Sequence, residues 1–122
     1  MKIKTQDLIR HALNYAVAIC EGYKPHAAAS LVIMDCYAPS TNWGQGGPII
    51  EEDIFKLFRN VGGSWTAQIK KRIPYYSPTY DADIGADEIL SKAGPTPLIA
   101  AMRCYVTSKF GDEIEIPEEL ES

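Results

Sequence analysis

The chain has 122 residues, 46% of them hydrophobic and 23% charged, with a formal net charge of −4. That is one globular domain with enough core to fold without disulfides or a structural metal, which excludes disordered and fibrous classes. The acid excess argues against duplex nucleic acid as a partner, no apolar run approaches the ~20 residues that cross a bilayer, and the N-terminus lacks the pattern of a signal peptide, so no membrane partner and a cytoplasmic location are predicted.

Thr5 and Asp7, followed by Leu8, Ile9, Ala12, Leu13, Ala16, Val17 and Ile19, predict a capped amphipathic helix over residues 5–21 that ends near Gly22. His11 falls beside its polar side and reads as a partly exposed helix histidine. Tyr23-Lys24-Pro25 breaks the helix, and His26 is placed in the loop that follows. Leu31 to Tyr37 reads as a strand with Asp35 as its one charge, and a loop, STNWGQGGPIIE at 40–51, comes next. Ile50, Ile54, Leu57 and Phe58 suit a short helix with Glu51, Glu52 and Asp53 in its first turn. Asn60 to Gly63 is a turn, and Trp65 to Ile69 is a strand leading into Lys70-Lys71-Arg72.

Residues 74–80, PYYSPTY, form a proline-bounded aromatic loop, and Asp81 to Ala93 carries a weaker helical pattern. The sharpest local signal is Gly94-Pro95-Thr96-Pro97. Threonine at the N-cap and proline at the first helical position start a helix over 96–110, and Gly111 stops it. Asp112 to Pro117 alternates acids with isoleucine and predicts an edge strand. The sum is a single compact α+β domain over 1–122, with a small antiparallel or mixed sheet, two main helices and long loops. Cys20, Cys36 and Cys104 are odd in number and set among apolar neighbours, which predicts reduced, buried thiols.

Three constellations bear on function. In the 40–48 stretch Trp43 offers a stacking face, Ser40, Thr41, Asn42 and Gln45 offer short polar groups, and Gly46-Gly47 allow backbone N–H groups to form an anion nest. Equally, Trp43 is a lid over the core and the glycines only permit the turn. Trp65 with Tyr75, Tyr76 and Tyr80 around Lys70-Lys71-Arg72 is either a stacking platform for a nucleotide or the amphipathic rim of a core or subunit interface. Arg103 borders an apolar helical stripe, where a guanidinium needs a carboxylate, a carbonyl or an anionic ligand. A structural salt bridge is the simpler expectation. No nucleophile–base pattern, metal-ligand spacing or cofactor motif is present, so catalytic and metal residues and cofactors are predicted as none. Asp81, Asp83, Asp87 and Glu88 read as a solvated helix start rather than a calcium loop.

LNYAVAICEG at 13–22, YAPSTNWGQGGPIIE at 37–51, Trp65 and GPTPLIAAMRCYVTSKFGDEIEIPEEL at 94–120 together resemble the NinX family of small proteins encoded by temperate phages and prophages. The resemblance implies a phage-encoded accessory protein inside a bacterial host. Such proteins modulate host machinery or block host defence, some by sequestering nucleotide signals. On that expectation Ser40, Thr41, Asn42, Trp43, Gln45, Gly46, Gly47, Trp65, Thr96 and Arg103 are the ligand contacts of a non-enzymatic sponge. The expectation admits a homo-oligomer whose second subunit completes the site. The alternatives are a module that inhibits a host protein and, third, a nucleotide hydrolase.

Overall fold

A computed structural model describes residues 1–73 and 76–120, so Pro74 and Tyr75 of the predicted aromatic loop lie outside the described residues. In chain order the elements are β1 (Lys2–Lys4), a 3₁₀ turn at Thr5–Asp7, α1 (Arg10–Cys20), α2 (Pro25–Ile33), α3 (Trp43–Asp53), β2 (Lys56–Arg59) and β3 (Trp65–Ile73). There follow β4 (Tyr76–Ser77), β5 (Ala82–Asp83), β6 (Ala86–Gly94), α4 (Pro97–Phe110), β7 (Glu113–Glu115) and a last 3₁₀ turn at Glu118–Leu120. The strands form three antiparallel sheets, ordered β2-β3-β6, β1-β7 and β4-β5. The domain is therefore α+β, as predicted.

α4 is the element on which the rest packs. Thr96 caps it by accepting a hydrogen bond from the Ile99 N–H at 3.2 Å, Pro97 occupies its first turn, and Gly111 ends it at φ 82°. Leu98, Ala100, Met102, Cys104, Tyr105 and Val106 are all buried, so the helix is covered nearly all round and shows no single apolar stripe. It lies across β3 and β6 on one side and meets α1, α3 and the first 3₁₀ turn on the others. Gly94, which joins β6 to α4, has to be glycine: a Cβ there would lie 2.7 Å from the Ala100 nitrogen.

Six expectations are corrected. The first helix begins at Arg10 and not at Thr5, because Lys2–Lys4 is drawn into a ladder with Glu113–Glu115 and the Thr5 hydroxyl donates to the Gly111 carbonyl at 3.1 Å. Leu31 to Tyr37 is not a strand, and His26 is not in a loop. Pro25 opens α2, and the run Ala27-Ala28-Ala29 carries it to Ile33. The 40–48 stretch is helical from Trp43, so Glu51, Glu52 and Asp53 sit in the last turn of α3 rather than in a first turn. The segment 81–93 is not helical: it holds β5 and most of β6, and β6 pairs with all nine residues of β3, from Trp65 opposite Gly94 to Ile73 opposite Ala86. The acids Asp83, Asp87 and Glu88 thus lie on strands. Lastly, Cys36 is exposed, whereas Cys104 is buried and Cys20 half-buried. The helix at 97–110, the turn after Asn60 and the edge strand at 113–115 stand where predicted.

Candidate functional site

The stretch around Trp43 turns from the end of α2 into α3. Asn42 stands at the N-cap, and its Oδ1 accepts from the Gln45 N–H at 3.3 Å. The Gln45 carboxamide reaches back across the turn, where Oε1 accepts from the Ala38 N–H and Nε2 donates to the Cys36 carbonyl at 3.0 Å. Gln45 is therefore the staple that fixes the entry into α3. Gly46 and Gly47 do not form an anion nest, since both are inside the helix. Gly46 is buried where a Cβ would meet the Pro39 carbonyl oxygen at 2.4 Å and Leu98 at 2.6 Å, so its role is to let α3 approach α4.

That approach brings the start of α3 beside the start of α4. Between them lies a pocket of about 220 Å³. Ser40, Thr41, Trp43 and Thr96 line it, over a floor of Pro97, Leu98 and Ile99. Trp43 is 55% exposed, so it is a wall open to solvent and not a lid sealed over the core. Ser40 is 2% exposed. Its backbone N–H donates to the Asn14 Oδ1 at 3.0 Å, but its hydroxyl has no hydrogen-bond partner among the described residues. An unpaired buried hydroxyl is costly, and each case asks for an explanation.

A second pocket, of about 340 Å³, shares Ser40 and Thr41 with the first. Its remaining walls are Arg10, His11, Asn14, Asp35 and Ala38. His11 Nε2 lies 3.1 Å from the Asp35 Oδ1. Beyond Ser40 and Thr41, none of this lining is among the contacts expected from the sequence. The available signal was Asp35, a lone charge in the apolar run LVIMDCY.

The other predicted contacts are dispersed. Trp65 starts β3 opposite Gly94, two residues before Thr96, and is not in the lining of either pocket. Tyr76 and Tyr80, both exposed, lie beyond the far end of that strand. Eight residue steps at ~3.3 Å put that end more than 20 Å from Trp65. Lys70 stacks over Phe55, 4.4 Å from the ring centre, and reaches Asp87 at 4.0 Å. Arg103 Nε donates to the Leu8 carbonyl at 2.8 Å and its Nη1 to the Ala93 carbonyl at 3.0 Å. The guanidinium is thereby tied to two backbone carbonyls in place of the salt bridge expected for it. Burial lowers its pKa, and the Asp7 charge opposes that shift. Burial also pushes the Cys20 thiol up to about 12 and the Cys104 thiol to about 11. Both are protonated at neutral pH and poor nucleophiles.

Fold and pockets together define a small single-domain α+β protein in which two of the surface hollows share one buried serine. Within that class the chain belongs to the NinX family: the family model described as Bacteriophage P22, NinX matches residues 4–109. By family it is a phage protein. The matched span takes in every residue of both pockets and stops short of β7. No curated protein is a significant match to the chain.

Proposed function

We propose that this phage-family protein is a non-enzymatic binder that sequesters a small nucleotide-type signal in the host bacterial cytoplasm and thereby counters anti-phage defence. The observation that carries this reading is the unpaired, buried hydroxyl of Ser40, a residue that lines, with half-exposed Trp43, the hollow where α3 and α4 begin. A planar ring stacked on the indole would supply the partner that the hydroxyl lacks, and the helix starts favour an electron-rich group beside it. The side chains lining that hollow carry no titratable group, so none of them can act as a general acid or base on a ring held there. A second reading, docking on a host protein, draws support from exposed Phe55, Phe58 and Val61 along β2 and its turn.

Calorimetric titration with a panel of nucleosides, nucleotides, cyclic dinucleotides and cyclic ADP-ribose isomers tests the first reading. At least one probe should bind, with a loss of tenfold or more in Trp43→Ala at an unchanged melting temperature. Chromatography of the probe after denaturing the complex should return it intact. Silence from the whole panel with folded protein would refute the reading, and a probe returned cleaved would make the protein a hydrolase.

A further inference from the structure

The Trp43 hollow is smaller than the ~300–1,000 Å³ usual for ligand pockets. At about 220 Å³ it accommodates a ring but leaves the rest of a nucleotide outside. The second hollow, about 340 Å³, begins where the first stops, at Ser40 and Thr41. We infer that it is the ribose-phosphate subsite of the same ligand, with Arg10 as the phosphate contact; this rests on the Trp43 reading above.

Four observations support the assignment. Ser40, 2% exposed, lines both hollows, and its enclosed hydroxyl has no partner among the described residues, so a group that opens the seam between them would give it one. Arg10 is exposed and has no ion-pair partner among the described residues. A guanidinium in that state matches the fork of a phosphate. Asp35, the one carboxylate in the lining, is already engaged by the His11 ring at 3.1 Å, and its remaining oxygen suits a ribose hydroxyl. Finally, three non-glycine residues have positive φ among the described residues, and two of them, Arg10 and Asp35, both at 56°, line this hollow. Backbone held in that region clusters at ligand sites.

The hollow is therefore a continuation of the first, and the ligand class sharpens from a planar ring to a phosphorylated nucleoside. Adenosine, guanosine, cytidine and uridine, with their 5′-monophosphates, are titrated against the wild type, Trp43→Ala, Arg10→Gln and Arg10→Lys. The inference expects at least one monophosphate to bind tenfold or more tightly than its nucleoside. Arg10→Gln should erase that margin while leaving the nucleoside within twofold of wild type, and Arg10→Lys should retain most of it. Circular dichroism and melting of both Arg10 variants establish that they are folded. A monophosphate bound equally by wild type and Arg10→Gln overturns the subsite and leaves the Trp43 reading standing. Unchanged nucleoside binding in Trp43→Ala, or no binding of any probe to the wild type, overturns both.

Discussion

Gly46 and Gly47 are neighbours in sequence and opposites in environment. A methyl group at Gly46 would be driven into the Pro39 carbonyl and Leu98, whereas a methyl group at Gly47 meets nothing within 4 Å. Gly46→Ala is expected to destabilise by about 1–3 kcal/mol through overpacking. Gly47→Ala should stabilise by about 0.5–1 kcal/mol, because alanine loses less backbone entropy in a helix. Urea midpoints of the two variants check this, and shifts of the same sign would contradict the packing described. The pair also explains why STNWGQGGPIIE reads as a loop: three glycines and a proline carry a strong local signal against helix. Asn42 at the N-cap, with Gln45 three residues on, is the start signal in that stretch. It prevails because α4 offers α3 a surface that only a residue without a side chain can approach.

Among elements, legibility followed how local the cause was. α4 is readable because Thr96, Pro97 and Gly111 announce its ends within the chain itself. β6 is unreadable because its residues, ADEILSKAG, have weak strand preference and become a strand through pairing with β3, some twenty residues away. The first hollow was half legible, since Ser40, Thr41, Trp43 and Thr96 were named and do come together. The second was not, because it depends on the turn after α2 bringing Asp35 against His11 of α1. Arg103 belongs at this scale, since it joins α4 to Leu8 and to the end of β6. Arg103→Ala removes two charge-assisted hydrogen bonds and strands the Leu8 carbonyl, which should cost about 1–3 kcal/mol of stability. Thermal melting reads that loss, and titration should find ligand affinity within twofold of wild type.

At the scale of the whole molecule, Cys20 and Cys104 contribute to an alkaline limit, together with Tyr15, Tyr37 and Tyr105, which burial also raises. An unfolded thiol titrates near 9.0, while folded Cys104 and Cys20 are raised to about 11 and about 12, chiefly by burial. A raised folded pKa contributes stability that is fully present below the unfolded value and is lost as pH climbs through the folded one. The urea midpoint is therefore expected to fall from about pH 9 up to about 12, and the fall should be shallower in the Cys20→Ala, Cys104→Ala double variant. An equally steep fall in that variant would assign the limit to other groups. A thiol reagent should label Cys36 in the native protein and reach Cys104 only on unfolding.

The ladder between β1 and β7 has a mechanical consequence. Lys2 faces Glu115, Ile3 faces Ile114 and Lys4 faces Glu113, so the chain enters one strand and leaves the other at the same end of the ladder. Tension applied through Met1 and Ile116 peels these pairs apart in succession and never loads them together in shear. The seam then gives way at low force, up to Thr5, where a backbone bond to Asp112 and hydroxyl bonds to Gly111 and Thr107 hold the first turn against α4. Resistance to being pulled apart begins at that threonine.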